Sequence, residues 1–280
     1  MSFNNIMVTG ADGFIGRHLV DKLSAIGYNV CAIGDDVDLG APGVAREAID
    51  KVQPDVIFHL AALVGVDIWT DPRKAHMALV NNCAIDACMA SAISNQKYRP
   101  RVFYASSSEV YSGANQNEAA CAGSCLTGAP REGYALSKLI GERLFNDINL
   151  RFFNVVGAKQ RLAFAIPAMV MAAINNDPIK ASKDYRSFCA IEDAVSAMVA
   201  LLRHDAAAGT YNIGNPNNYI RMDDMADLIR TIVGSKSYID IQNDGYCKSR
   251  KPDITKLQQY YSPRYGLEHI VTQVYKDLFR

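Results

Sequence analysis

The sequence lacks the features that indicate binding to a nucleic acid or a membrane. Its 29 basic and 29 acidic residues balance, and it has neither a run of Lys and Arg nor an acidic tail, so no charged surface for an anionic polymer is predicted. It also has no continuous apolar run of membrane-spanning length and no signal peptide. We therefore expect a cytoplasmic protein that binds a small molecule, with no nucleic-acid or membrane partner.

The sequence does not indicate a disulfide framework or a metal centre either. The seven cysteines are odd in number, and several lie in apolar stretches, where thiols act as small hydrophobic groups in a reducing compartment. Only Cys121 and Cys125 are close in sequence, and no histidine is near them. We therefore predict no zinc site.

The first half of the chain shows a regular alternation of strand and helix patterns. The predicted elements lie at 6–9, 14–26, 29–33, 42–52, 55–60, 74–94, 101–106, 131–149 and 150–154. Repeated strand–helix units of this length predict an α/β fold, namely a Rossmann-type doubly wound parallel sheet with helices on both faces.

Beyond Gly157 the pattern is less regular and contains several prolines. Helical periodicity returns at 191–204, and a strand pattern follows at 210–214. The sequence therefore predicts a larger doubly wound domain and a smaller α/β substrate-binding lobe. The predicted bounds are 1–157 with 187–214 for the first and 158–186 with 215–280 for the second.

Three glycines follow the first predicted strand at intervals of three residues. Gly10 permits a tight turn, Gly13 lets a phosphate approach the backbone, and Gly16 lets the next helix pack on the strand. The free N–H groups at the start of that helix favour a pyrophosphate. The pattern predicts a dinucleotide cradle. The alternative is a glycine-rich turn that binds nothing, but the strand before it and the amphipathic helix after it favour the cradle.

A second group of residues, which are candidates for catalysis, lies on one predicted helix and after one predicted strand. Tyr134 and Lys138 are four residues apart and so share a helix face, where the ammonium group can lower the pKa of the phenol and produce a base. Three serines at 106–108 follow a buried strand and are placed to hold a substrate hydroxyl. The alternatives are a chance surface pair and hydroxyl groups that cap a turn.

Together these segments resemble the extended short-chain dehydrogenases/reductases, in particular the NAD-dependent epimerase/dehydratase family that acts on nucleotide sugars. The resemblance covers nearly the whole chain. Its further signs are Phe58–Ala62, Asn81–Asn82, Ser106–Tyr111, Leu150–Gly157, Arg186–Phe188 with Glu192–Asp193, and Arg250–Lys256. It implies an enzyme whose larger domain binds NAD and whose substrate is a nucleotide-diphosphate sugar.

The resemblance also implies roles for individual residues. Tyr134 would be the catalytic base, Lys138 would bind the nicotinamide ribose, and Ser107 would hold the sugar hydroxyl. The implied cofactor-binding residues are Gly10, Asp12, Gly13, Phe14, Ile15, Gly16, Asp35, Asp38, Leu39, Leu60, Ala61, Ala62, Asn82, Ala105, Tyr134 and Lys138. The implied substrate contacts are Ser107, Tyr134, Asn154, Arg186 and Arg250. Arginine suits the diphosphate because it donates two parallel hydrogen bonds, although the last two arginines also suit a solvated surface charge.

The reaction step shared by this family is removal of a hydride from C4 of the sugar to NAD, while the tyrosine takes the hydroxyl proton. The 4-keto sugar can then be epimerised, dehydrated or decarboxylated before the hydride returns. Ser108 and Glu109 join the candidate catalytic set, because Ser-Glu-Val-Tyr resembles nucleotide-sugar decarboxylases and some dehydratases. The alternative for Glu109 is an ordinary acidic residue in a first helical turn.

The sequence departs from the family at the end of the second predicted strand. The family has an acidic residue there that binds the adenosine ribose, whereas this chain has Gly34 followed by Asp35. The link to the next helix is short, and its Asp38 and Leu39 would contact adenine. Because no Lys or Arg lies between residues 23 and 45, nothing there pairs with a 2′-phosphate, and we predict NAD rather than NADP. The alternative is that Arg17 or Arg46 turns toward such a phosphate.

Two other functions remain open. One is a reductase that consumes reduced cofactor to make a deoxy sugar nucleotide, and the other is a non-catalytic dinucleotide sensor, which the fold permits. The presence of Ser107, Tyr134 and Lys138 weighs against the sensor. The apolar faces of the helices at 74–94 and 131–149 predict a homodimer, although burial in the core accounts for the same faces.

Overall fold

The chain divides into two units in the computed structural model. The described residues are 5–65, 68, 71–111, 130–242 and 251–279. The first unit contains 1–152 and 201–211, and the second contains 153–200 and 212–280.

The first unit is built on a six-stranded sheet with the order β2-β1-β3-β4-β5-β9. Its strands are β1 Asn5–Thr9, β2 Asn29–Ile33, β3 Val56–His59, β4 Arg101–Ser107, β5 Ile148–Phe152 and β9 Gly209–Ile213. β1 pairs in parallel with both β2 and β3, and β4 pairs in parallel with both β3 and β5. The predicted α/β class and doubly wound sheet are confirmed.

The strand order reverses between β1 and β3. From β1 the chain passes to β2 on one side, and it then crosses to β3 on the other side. Ligands of doubly wound sheets bind at the carboxyl ends of the strands beside such a reversal. A ligand site in this unit is therefore expected at the residues that follow β1 and β3.

Helices pack on this sheet through an apolar core. The described helices are α1 Phe14–Ala25, α2 Val44–Val52, α3 Pro72–Ser94 and α4 Pro130–Phe145. Ile49 of α2, Met89 of α3 and Phe145 of α4 share one buried cluster with Ile57 of β3. Asp71 begins α3, because its side chain accepts a hydrogen bond from a backbone N–H of the first turn at 2.9 Å.

The predicted helix at 131–149 extends past the observed end. α4 ends at Phe145, because Asn146 has a left-handed backbone with φ 48°, a conformation that asparagine tolerates and that ends helices. β5 consequently begins at Ile148 rather than at 150. Asn154, predicted to end that strand, instead begins the strand Asn154–Val156 (β6) in another sheet.

The helix α3 is long and apolar enough to cross a membrane by length and composition alone, since an 18-residue window within Arg73–Ser94 has a mean hydropathy of 1.3. Asn81, Asn82 and Asp86 interrupt its apolar stretch, so it is not a continuous apolar run of the kind that the sequence lacks. Asn82 and Asp86 of this helix are each 1% exposed, and both are hydrogen-bonded to other parts of the first unit. We therefore interpret α3 as a helix packed within that unit.

The second unit contains two small sheets and its own core. Its sheets have the orders β10-β8-β6 and β11-β7. The strands are β6 Asn154–Val156, β7 Ile179–Ala181, β8 Tyr185–Ala190, β10 Tyr219–Arg221 and β11 Ile239–Ile241, and the helices are α5 Ala165–Asn175, α6 Ile191–Arg203, α7 Met222–Val233 and α8 Leu267–Leu278. Val170 of α5, Ile229 of α7 and Val271 of α8 are fully buried in one cluster.

The division into units differs from the predicted domain bounds at 153–157, 187–200 and 212–214. The segment 187–200 holds most of β8 and α6, and β8 pairs with β6 and β10. Phe188 of β8 packs in the core of the second unit. Strand pairing, which a local sequence pattern does not report, therefore places this segment in the second unit.

Candidate active site

The glycine-rich loop lies directly after β1, where the strand order reverses. Gly10 has φ 64°, and a Cβ there would lie 2.8 Å from the backbone N of Ala61. A Cβ at Gly16 would overlap the carbonyl oxygen of Gly10 and lie 2.9 Å from the Cα of Ala11. Both glycines are required by close backbone packing, and Gly10 also by its left-handed conformation. The tight turn and close helix packing predicted from the glycine spacing are present.

The start of α1 offers free backbone donors to an anion. Gly13 precedes the helix, is exposed and supplies no side-chain cap. Phe14 and Ile15 form the first turn and are half-buried. The unpaired N–H groups of a first turn and the positive end of the helix dipole favour negative charge. This loop therefore suits the pyrophosphate of a dinucleotide.

The segment after β3 is held beside the glycine loop by two side chains. The Oγ1 atom of Thr9 accepts hydrogen bonds from the backbone N–H groups of Leu60 and Ala61, each at 3.2 Å. Asn82 of α3 accepts from the N–H of Leu63 at 2.7 Å and donates to its carbonyl oxygen at 3.3 Å. The predicted cofactor-binding residues after β3 are thus fixed next to the loop.

Ser107, Tyr134 and Lys138 come together at the end of β4. Ser107 is the last residue of that strand, and its hydroxyl group is hydrogen-bonded to the side chain of Tyr134 on α4. The Nζ atom of Lys138 lies 5.9 Å from the centre of the Tyr134 ring and 4.9 Å from that of Tyr104. Tyr134 is 7% exposed and Lys138 is 2% exposed. The candidate catalytic group is therefore assembled and largely removed from water.

Burial controls the ionisation of this group. It raises the pKa of the Tyr134 phenol; the hydrogen bond with Ser107 lowers that pKa, and the charges of Glu109 and Asp86 raise it further. Burial also lowers the pKa of the Lys138 ammonium group, against the effect of nearby carboxylates. The expected lowering of the phenol pKa by Lys138 is not found, because burial is the largest influence on that pKa and Lys138 is not among the groups that shift it.

A buried chain of polar side chains lies behind this group, and sequence analysis did not identify it. The Oγ1 atom of Thr9 lies 2.7 Å from Nδ1 of His59, and Nε2 of His59 lies 3.0 Å from Oδ1 of Asp86. Tyr104 donates its hydroxyl proton to Oδ2 of Asp86 at 2.7 Å. The chain links the end of β1 to the surroundings of Lys138. The available signal was Asp86 itself, a carboxylate inside an apolar helix, which needs a buried partner.

Gly141→Ala is expected to disrupt this chain of side chains. A Cβ at Gly141 would overlap the hydroxyl oxygen of Tyr104 and lie 2.5 Å from Oδ2 of Asp86, so the hydrogen bond between them has to break or shift. We expect the free energy of unfolding to fall by about 1–3 kcal/mol, the usual cost of an unsatisfied buried polar group. Urea denaturation measures the change.

Gly133→Ala on the same helix is the matched control. A Cβ at Gly133 would lie 3.5 Å from the carbonyl oxygen of Ala75, which is an ordinary contact. Because alanine is the better helix former, we expect no loss and a gain of at most about 1 kcal/mol. Equal destabilisation by the two substitutions would show that the helix tolerates alanine at neither position, and would contradict the prediction.

A buried ion pair fixes the same helix against the sheet. The Nε and Nη2 atoms of Arg151 donate to the two carboxylate oxygens of Glu142, both at 2.7 Å, and Ser106 donates to Oε1 at 2.5 Å. The side chains of the pair are each 7% exposed. The guanidinium group also lies 4.9 Å from the centre of the Tyr111 ring. Residues of β4, α4 and β5 are thereby held in one arrangement.

The remaining candidate residues of this region lie on β4 or in the 3-10 turn that follows it. Glu109 is half-buried in the 3-10 turn after β4, its N–H donates to Oγ of Ser107 at 3.1 Å, and its charge raises the pKa of Tyr134. Ser108 is buried, and Ala105 is half-buried within β4. This position suits Glu109 as a second acid–base group, and it also suits an acidic residue in a first helical turn.

The segment after β2 is acidic and mostly exposed. Asp35 donates its N–H to Oδ2 of Asp12 at 3.0 Å, and Asp38 accepts from the N–H of Gly40 at 3.0 Å. Leu39 is 3% exposed and packs in the core of the first unit. The adenine contact expected of the Leu39 side chain is not supported by this placement, because the side chain is committed to packing.

The candidate substrate contacts outside the first unit are only partly described. Asn154 is exposed on β6 and donates to a backbone carbonyl of β8 at 2.9 Å. Arg186 is half-buried on β8, the neighbouring strand of the same sheet. Arg250 and the pair Cys121 and Cys125 lie outside the described residues. Within those residues, no group of three or more His, Cys, Asp or Glu side chains is arranged to hold a metal ion.

Comparisons with known proteins point to one family. The profile of the NAD dependent epimerase/dehydratase family matches residues 6–214. The UDP-N-acetyl-alpha-D-glucosaminuronate decarboxylase of Bacillus cytotoxicus is 26% identical over an alignment of 296 positions that covers 90% of this chain and 90% of that protein. The structure of UDP-glucuronic acid 4-epimerase from Bacillus cereus, in complex with UDP-glucuronic acid and NAD, has a TM-score of 0.80 and 23% identity over 98% of each chain. The structure of RMD from Pseudomonas aeruginosa, complexed with NADPH, has a TM-score of 0.80 and 20% identity over 98% of each chain.

The doubly wound sheet, the glycine loop at its reversal and the buried Ser107, Tyr134 and Lys138 define a dinucleotide-dependent enzyme. The chain belongs to the NAD-dependent epimerase/dehydratase family, whose profile spans most of its length. The family resemblance drawn from the sequence is confirmed.

Proposed function

We propose that the protein modifies a nucleotide-diphosphate sugar through a 4-keto intermediate, with NAD retained between the two hydride transfers. The observation that carries the proposal is the buried group of Ser107, Tyr134 and Lys138, formed in the same unit as the glycine loop. Similarity over 90% of the chain to a decarboxylase of a UDP-linked sugar acid supports the substrate class.

Each residue of the group has a definite role in this proposal. Ser107 hydrogen-bonds the C4 hydroxyl of the sugar, Tyr134 accepts its proton, and Lys138 binds the nicotinamide ribose. NAD supplies the hydride acceptor and a positive charge near the phenol, which would oppose the burial that raises the pKa of Tyr134. The family resemblance assigns the contacts with the nucleotide diphosphate to Asn154, Arg186 and Arg250.

A panel of nucleotide sugars tests the proposal. The purified protein is incubated with UDP-, GDP- and dTDP-linked hexoses and hexuronic acids, and the sugar products are identified by mass spectrometry while nicotinamide absorbance is followed. We expect a new sugar product with no net change in absorbance. Stoichiometric loss of reduced cofactor would instead identify a reductase. Dinucleotide binding without any product would identify a sensor.

Glu109→Gln is expected to separate the first oxidation from the later chemistry. Glu109 lies near Tyr134, and its charge raises the pKa of the phenol. If Glu109 acts on the 4-keto sugar, the variant still reduces bound NAD with substrate, but product formation falls by about 10²–10⁴-fold, the usual contribution of an acid–base group. Rapid-mixing absorbance and product assays measure the two steps.

Asp205→Asn is a control for Glu109→Gln, because Asp205 pairs with Arg101 at the far end of β4. It is expected to change neither step. Equal loss of oxidation and product formation in Glu109→Gln would make Glu109 a structural residue.

We also propose a cytoplasmic homodimer formed through α3 and α4. Met77 and Val80 of α3 are 59% and 65% exposed, and Leu144 of α4 is 41% exposed, so these packed helices present apolar surface outside their own unit. Sedimentation at micromolar protein tests the dimer. Val80→Glu is expected to yield monomers, whereas Tyr238→Glu at a comparably exposed tyrosine of the second unit is not. A monomeric mass for the unmodified protein would reject the proposal.

A further inference from the structure

The position that normally recognises the adenosine ribose is occupied by a glycine in this chain. In dinucleotide-binding folds, an Asp or Glu about 20 residues after the glycine loop hydrogen-bonds the 2′-hydroxyl of NAD. Gly34 takes that position, directly after β2. The backbone does not require glycine here, because Gly34 is absent from the described residues with positive φ. The absence of a side chain at Gly34 must therefore be explained by the residues that surround this position.

The carboxylate of Asp12 fills the space in question. A Cβ at Gly34 would overlap Oδ2 of Asp12 and lie 2.9 Å from its Cγ. The same Oδ2 atom accepts a hydrogen bond from the N–H of Asp35 at 3.0 Å. Asp12 belongs to the glycine loop, yet its side chain is tied to the end of β2. The acidic group near the end of β2 is therefore supplied by the glycine loop instead of by the residue after the strand, and Gly34 leaves room for it.

No cation neutralises this carboxylate within the described part of the chain. Arg17 donates instead to the backbone carbonyl oxygens of Asp12 and Gly13, and Arg46 pairs with Asp50 at 3.5 Å. The Oδ2 atom of Asp12 has one hydrogen bond, from a backbone donor, and the side chain is exposed. A carboxylate in this state accepts hydrogen bonds from hydroxyl groups and repels a phosphate.

We propose that Asp12 determines the cofactor specificity of this enzyme, accepting hydrogen bonds from the adenosine ribose hydroxyls of NAD and excluding the 2′-phosphate of NADP. The inference rests on the proposed dinucleotide site and goes beyond it, because it assigns the selection to a residue of the glycine loop. Asp35 and Asp38, which sequence analysis favoured for this part of the cofactor, contribute a backbone donor and general negative charge.

Binding measurements on the full chain test the assignment without relying on turnover. Dissociation constants for NAD and NADP are measured by calorimetry for the unmodified protein, for Asp12→Ala and for Asp21→Ala, an exposed acidic residue of α1. Asp12→Ala is expected to lower the preference for NAD at least about tenfold, equivalent to about 1.4 kcal/mol. Asp21→Ala is expected to leave the preference unchanged. Thermal unfolding checks that each variant is folded.

A double-mutant cycle tests whether Gly34 acts through the Asp12 carboxylate. Gly34→Ala is expected to lower the NAD preference, because its Cβ displaces that carboxylate, and to have no further effect in the Asp12→Ala background. Gly34→Asp in that background is expected to restore the preference by returning an acid to the strand end. NAD binding with unaltered preference in Asp12→Ala would overturn this inference alone. Failure of the unmodified protein to bind either dinucleotide would overturn the proposed function as well.

Discussion

Tyr134→Phe is expected to lower turnover of the nucleotide sugar by about 10²–10⁴-fold, the usual contribution of a general base. The substitution removes the hydroxyl group that is hydrogen-bonded to Ser107 and leaves the ring in its buried position. Affinity for NAD and for the nucleotide sugar is expected to stay within a few fold, because the ring and its neighbours remain. Steady-state kinetics and calorimetry measure the two effects.

Tyr211→Phe is the matched control for this experiment. Tyr211 is fully buried in the same unit and donates its hydroxyl proton to the carbonyl oxygen of Ala207 at 2.8 Å. Loss of this hydrogen bond is expected to lower the free energy of unfolding by about 0.5–1.5 kcal/mol and to leave turnover unchanged. If Tyr134→Phe turns over the nucleotide sugar as fast as Tyr211→Phe, the proposed hydride-transfer mechanism with Tyr134 as general base is wrong.

The sequence predicted the parts of the site that depend on local pattern. The glycine spacing at Gly10, Gly13 and Gly16 specifies a turn whose geometry is fixed by neighbouring residues, and the structure has that turn. Tyr134 and Lys138 are one helical turn apart, so their shared face follows from helix geometry alone. The parallel sheet followed from alternating strands and helices in the same way.

Features that depend on distant contacts were missed. The placement of Asp86 between His59 and Tyr104 joins three elements, and no spacing in the sequence reports it. The carboxylate of Asp12 filling the space above Gly34 is a contact between the ends of two strands. The early end of α4 has a local cause, but the left-handed backbone of an asparagine is an option rather than a rule.

Arg151→Met is expected to lower the free energy of unfolding by about 3–5 kcal/mol, because it leaves the buried carboxylate of Glu142 without its counter-ion. Urea denaturation near neutral pH measures the loss. Arg230→Met is the control. Its ion pair with Asp227 is equally short, at 2.6 Å, but the side chains are 42% and 55% exposed, so a loss below about 1 kcal/mol is expected.

A double variant identifies the cause of that loss. Arg151→Met combined with Glu142→Met should recover much of the lost stability at neutral pH, because no charge remains to be buried. If the double variant does not recover the lost stability, the loss is assigned to the packing of Arg151 on Tyr111 rather than to an uncompensated charge.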